Sequence, residues 1–178
     1  VTNGTIKTFT KVSDTVYTIL VTNTGTCIQT VGIKDDSCTD SSGNTIQTVT
    51  PISITIDRTA PAEPTISVKA DSITGTEKGK IESGKSGTVY TGVENTYLTF
   101  GAIDGLQTGN TGIAGYKVST DPNADFASLE TVQNINFTAT TDGTTYYAKS
   151  IDNAGNLSTG ITQVLVKLVT LSVTPTNV

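Results

Sequence analysis

An all-β fold is the expectation for this chain, and three features carry it. Roughly one residue in five is Thr, and Gly, Asn and Asp recur between short runs of Val, Ile and Tyr, the composition of half-buried strands separated by turns. No stretch keeps a helical hydrophobic period beyond about two turns. One turn signature is written twice, as Thr39-Asp40-Ser41-Ser42-Gly43-Asn44 and as Ile151-Asp152-Asn153-Ala154-Gly155-Asn156. After the first copy Ile52, Ile54 and Ile56 alternate with Ser53 and Thr55, and after the second Val164, Val166 and Leu168 alternate with Leu165 and Lys167. Such an internal repeat predicts tandem β-sandwich modules.

The elements follow in order. Asn3-Gly4 reads as a hairpin-type turn. Strands are expected over 16–21, 27–33 and 47–56, with a polar loop over 35–44 before the last. In the stretch Asp57-Arg58-Thr59-Ala60-Pro61-Ala62-Glu63-Pro64 two nearby prolines stop strand pairing and stiffen the chain, which marks a domain boundary. Beyond it strands are expected over 65–68, 88–91, 97–102, 115–119, 134–140, 145–150 and 162–169. That is about seven short strands in about 110 residues, the size of an immunoglobulin-like sandwich. The faces carrying Leu98 and Phe100, and Tyr116 and Val118, are expected to meet in its core. There is no Trp, so Tyr146 and Tyr147 must supply much of the aromatic burial. Lys78, Lys80 and Lys85, among Glu77 and Glu82, read as a solvated loop. The organisation is thus a partial sandwich over 1–59, a complete one over 60–170, and a tail over 171–178. About 59 residues with some four strands make half a sandwich, a size at which a lone core is marginal. Its remaining strands are expected to have been cut away or to come from another chain.

The charge and residue inventory excludes several kinds of chemistry. The net charge is −5 and the eleven Lys and Arg are scattered, whereas nucleic-acid binding needs clustered cations. No apolar run is long enough to span a bilayer, and no signal peptide is evident. With no Met at its start or elsewhere, the chain reads as a mature piece or fragment of a longer protein. It has no His, so the commonest general base and the His-dependent triads are missing, and no enzymatic activity is expected. Cys27 and Cys38 would close a loop of about a dozen residues if joined, worth roughly 3 kcal/mol. A disulfide, which would indicate export, is the expectation, with two free buried thiols as the alternative. Hard cations take carboxylate, amide and carbonyl oxygens, which makes Asp57, Asp104, Asp152 and Asn153 candidate calcium ligands. Turn formation explains the Asp and Asn of the repeated signature equally well.

A family resemblance also emerges. Asn3-Gly4-Thr5, Phe9-Thr10, Tyr17-Thr18, Gly25, Thr39-Asp40 with Gly43-Asn44, and the closing Ile54-Thr55-Ile56-Asp57-Arg58-Thr59-Ala60-Pro61 resemble the second half of a bacterial Ig-like repeat. Gly112-Ile113-Ala114-Gly115-Tyr116, followed by Thr145-Tyr146-Tyr147-Ala148-Lys149-Ser150 and the second turn, is similar to a sister type. Such repeats occur in large cell-surface adhesins and other surface proteins. The resemblance implies an extracellular or cell-surface location and a mechanical role as a stiff spacer that presents a binding region. Partners would be neighbouring repeats or copies of the same chain, and surface or host glycans or proteins. It further implies calcium at repeat junctions, and an isopeptide cross-link through Lys7, Lys11 or Lys117 in some members. The chain departs from the pattern after Leu168, where the closing Asp-x-Thr-Ala-Pro gives way to Val169-Thr170-Leu171-Ser172-Val173-Thr174-Pro175. That tail reads as the first strand of a further repeat. It also suits a strand donated to another copy in a head-to-tail fibre or pilus. A carbohydrate-binding accessory module is a third reading, weakened by the absence of Trp.

Overall fold

A computed structural model describes residues 1–105 and 107–170. Among these the chain is all-β, with twelve strands and no helix. It divides into two compact units, one of residues 1–59 with 107–111, the other of residues 60–105 with 112–170.

In unit 1, β1 (Thr5–Lys11) pairs antiparallel with β2 (Tyr17–Thr22), and β3 (Cys27–Val31) with β4 (Ile52–Ile56). Each sheet has two strands, so its faces stay wet: Phe9 is 63%, Ile52 68% and Ile54 52% exposed. The rings of Phe9 and Tyr17 stack at 5.3 Å, and Gln29 is a buried polar side chain in β3. β4 is shorter than the run over 47–56 suggested. It starts after Pro51, which has no N–H to give to a ladder. β1 is a strand that the sequence reading omitted; all its residues are exposed, so neither face carries an apolar signature.

Unit 2 contains β5 (Thr65–Ala70), β6 (Glu77–Ile81), β7 (Ser86–Thr91), β8 (Asn95–Gly101), β9 (Ile113–Ser119), β10 (Asn134–Thr138), β11 (Thr144–Asp152) and β12 (Thr162–Leu168). They form two four-stranded sheets, β10-β8-β5-β6 and β7-β12-β11-β9. The pairing is antiparallel except that β7 runs parallel to β12. The inward residues of both sheets share one core: Ile66, Val68, Leu98, Ala148, Val164 and Val166 are all fully buried. Phe100 meets Tyr116 at 5.0 Å and Phe137 meets Tyr146 at 4.8 Å. This is a β-sandwich, with the alternation that a sheet buried on one face requires.

Two expectations are corrected here. The charged stretch around Lys78 and Lys80 is strand β6, not a loop. Ile81 enters the core while the charges face solvent and Lys69 pairs with Glu77 at 3.2 Å. Cys27 and Cys38 are free thiols. Cys27 lies in β3 with its Sγ 2.8 Å from Asn23 Nδ2. Cys38 is exposed in a loop whose own backbone bonds, Ile46 N–H to Cys38 C=O and the Thr39–Thr45 bridge, hold it in place.

Candidate functional site

The repeated signature forms the same structure twice. In unit 1 Asp40 Oδ1 accepts the N–H groups of Ser42 (2.8 Å) and Asn44 (2.9 Å), and Oδ2 accepts Asn44 Nδ2 (2.8 Å). Asp40 N–H donates to Asn44 C=O and Gly43 N–H to Asp40 C=O. In unit 2 Asp152 Oδ1 accepts the N–H groups of Ala154 (2.9 Å) and Asn156 (2.8 Å), and Oδ2 accepts Asn156 Nδ2 (2.8 Å). The two backbone bonds recur as Asp152 N–H to Asn156 C=O and Gly155 N–H to Asp152 C=O. Gly43 and Gly155 have φ of 86° and 92°, a region open to Gly at no steric cost. In the exposed copy the Asn44 amide, first among these donors, holds the Asp40 carboxyl below its ordinary range. The motif is therefore a self-sufficient Asx-type turn.

Burial and a neighbour distinguish the second copy. Asp152 ends β11 at 2% exposure, and Asp104, in the loop after β8, is 6% exposed. A carboxylate oxygen of each lies within 4.8 Å of the other. Gly112 joins Asp104 to Asn153. Its N–H donates to Asp104 Oδ2 at 2.7 Å, and its C=O accepts both the N–H (3.0 Å) and Nδ2 (3.1 Å) of Asn153. Gly112 has φ of 80°, which a side chain would strain. Two like charges at this separation repel by about 3 kcal/mol at an effective dielectric of roughly 20. A hard cation shared between the two would turn that repulsion into attraction.

Asp57 belongs to unit 1, at the end of β4. Its Oδ1 accepts the Thr59 N–H (3.0 Å) and the Thr26 hydroxyl (3.4 Å). Its Oδ2 accepts the N–H (2.7 Å) and hydroxyl (2.9 Å) of Thr111. Burial pushes this carboxyl up, but the N–H groups of Thr59 and Thr111 outweigh it, so it titrates below its ordinary value. These four donors make Asp57 a clasp between β4, the start of β3 and the 107–111 segment. Asp104, Asp152 and Asn153 are thus brought together in unit 2, and Asp57 has its own set of partners in unit 1.

Comparison with protein-family models, curated proteins and solved structures found no match.

Lys117, a candidate for a cross-link, is 7% exposed, and its ammonium donates to the Leu129 carbonyl. Lys11 is exposed and pairs with Asp14 at 2.8 Å, and Lys7 is exposed on β1. Sequence reasoning missed a latch at the start of unit 2. The Ser150 hydroxyl donates to the Ala62 carbonyl, Thr162 Oγ1 donates to the Pro64 carbonyl at 2.5 Å, and Gly160 N–H donates to Glu63 Oε1 at 2.8 Å. The carboxyl of Glu63 sits below its ordinary value, held by its own N–H and then that of Gly160. Nothing in the proline-flanked stretch signalled this, because the partners lie about a hundred residues away.

Proposed function

We propose that this chain is a non-catalytic spacer segment of an extracellular or cell-surface bacterial protein, built from tandem Ig-like modules. The observation that carries the reading is the repeated turn. Five matching hydrogen bonds recur in two separate units, each time ahead of a strand of alternating aliphatics. The sheet orders of unit 2, with one parallel pair among antiparallel ones, suit an Ig-like sandwich. In such a protein the modules act mechanically, presenting a binding region whose partners are neighbouring repeats and surface glycans or proteins. Calcium is the ion that the Asp104–Asp152 pair of unit 2 would hold, with Asn153 beside it. Its service is to cancel the repulsion of two buried carboxylates and stiffen the loops that carry them.

Light scattering with small-angle X-ray scattering, with and without a calcium chelator, tests this. The spacer reading expects a monomeric rod. Calcium should raise the melting temperature of the native chain by several degrees, and Asp104→Asn should abolish that increment. A compact, enzyme-like particle indifferent to calcium would sink both statements.

The exposed apolar faces of unit 1 favour one second reading, a fibre subunit assembled head to tail by β-strand donation. The donor in that reading is the segment 169–178, of which 171–178 lie outside the described residues. Long polymers that vanish when 169–178 is deleted would establish it.

A further inference from the structure

We infer that segment 60–64 is a force clasp. When unit 2 is pulled by its two ends, the hydrogen bonds of this segment pass the tension directly from the entering chain to the last strand, β12. The inference rests on the spacer reading and adds to it the place in unit 2 where tension is held.

The sequence sets up the clasp. Pro61 and Pro64 have no N–H, which leaves the segment short of donors for a strand ladder. Its three successive carbonyls instead accept hydroxyls, each from a different part of the fold. Ala62 C=O accepts the Ser150 hydroxyl of β11. Glu63 C=O accepts Ser83 Oγ, from the loop between β6 and β7, at 2.6 Å. Pro64 C=O accepts Oγ1 of Thr162, the first residue of β12, at 2.5 Å. The Glu63 carboxylate adds the Gly160 N–H at 2.8 Å, and Ala62 N–H donates to Ile103 C=O at 2.9 Å. Lys149 Nζ braces the loop that presents Gly160, through the carbonyls of Ser158 (3.0 Å) and Thr159 (2.9 Å). Pro64, Ser150 and Thr162 are fully buried, so water does not compete for their bonds. Thr162 Oγ1 also accepts Gly84 N–H at 2.8 Å. One hydroxyl thus ties together the entry segment, the turn before β7 and the start of β12.

The topology puts the clasp on the path of the tension. The chain enters unit 2 at Ala60, and its last strand ends at Leu168. β5, which follows the entry segment, lies in one sheet and β12 in the other. Tension crossing between the sheets through the core meets apolar packing, such as Ile66 and Val68 with Val164 and Val166. Such packing is non-directional and is the weaker hold against sliding. The clasp offers a shorter route, from Pro64 through one hydrogen bond to Thr162 and then along the covalent backbone of β12. While it is closed, the chain between Pro64 and Thr162 is shielded from the pull.

Constant-force extension of the full chain, held by peptide handles at its two ends, tests this. Opening the clasp frees the stretch between Pro64 and Thr162, 98 positions apart. Unit 2 should therefore lengthen in one step of about 330 Å, distinct from the roughly 200 Å of unit 1. Thr162→Val keeps the side-chain shape, removes the hydroxyl and should open about tenfold faster at the same force. Ser83→Ala, at an exposed position, should open about threefold faster and gives the same test in a variant whose core is untouched. Leu98→Ala, in the core of the shielded stretch, should unfold at lower urea than either. At the same force its opening rate should stay within about twofold of the unaltered chain, because its contacts are still made when the clasp opens. Three results would overturn the inference. One is an opening rate unchanged by both hydroxyl removals, and another is Leu98→Ala opening as fast as Thr162→Val. The third is a first step of only about 75 Å, the stretch from Pro64 to Ser86, which would place the tension on the parallel β7–β12 pair. Any of these beside a monomeric rod in the scattering experiment would remove the clasp and leave the spacer reading standing.

Discussion

Asp40 and Asp152 make the same bonds in different surroundings, and that difference decides what each is worth. Asp40 is exposed, and water can accept from the N–H groups that donate to its carboxylate. Asp152 is buried, so its truncation takes from the N–H groups of Ala154 and Asn156 and from the Asn156 amide, in a partly buried turn, the acceptor that Asp152 supplies. Asp152→Ala should therefore destabilise unit 2 by about 1 kcal/mol in urea unfolding, the lost bonds being partly offset by relief of the repulsion from Asp104, while Asp40→Ala should leave that transition where it is. Equal effects of the two changes would show that burial is not what matters. The turn itself was legible in the sequence, because Asp-x-x-Gly-Asn is a local code in which side chain, backbone and glycine lie within five residues. The Asp104–Asp152 pairing was legible only as a list of candidates, since it depends on Gly112 holding two loops together from a third point in the chain. The expected disulfide rested on sequence proximity alone, and loop geometry ignores that.

At the level of elements, β4 and β12 show how little the strand pattern says about burial. Both alternate aliphatic side chains, so both were legible as strands. What differs is the number of strands and the sheet packed over them, and those neighbours are set by distant parts of the chain. The equivalent truncations make this measurable. Val166→Ala, in a core site at 0% exposure, should cost about 2 kcal/mol. Ile54→Ala, which removes more carbon from a site 52% exposed, should cost less than about 1 kcal/mol in the free chain. β6 is the converse case. With lysines on its wet face and Ile81 as its one fully inward aliphatic, it carries too short an apolar pattern to be told from a loop.

For the whole molecule, the titratable inventory fixes the shape of the stability–pH curve. There is no His, so no side chain at its ordinary pKa changes charge between about pH 5 and 8. Four carboxyls are displaced downward: Asp40 by its bond from the Asn44 amide, Asp57 by bonds that outweigh burial, Glu63 by its own and the Gly160 N–H, and Glu77 by the Ser67 hydroxyl and then Lys69. A carboxyl whose folded pKa is depressed contributes stability that is complete above its unfolded pKa, and loses it as pH falls through the folded one. The displaced phenols, Tyr116 and Tyr146, are raised by burial. The unfolded chain gives up those protons first, so stability is intact below the ordinary value near 10 and is lost as pH rises through the higher folded values. From these groups the melting temperature should fall on the acid side below about pH 4 and on the alkaline side above about pH 10. Glu63→Gln separates the acid limb into its parts. It keeps an oxygen for the Gly160 N–H but removes the ionisation, so it should lower the neutral plateau slightly and make the decline below pH 4 shallower. A wild-type midpoint that stays level down to about pH 2 would refute this account of the acid limb. An acid limb unchanged by Glu63→Gln would instead place that limb on the other lowered carboxyls, Asp40, Asp57 and Glu77.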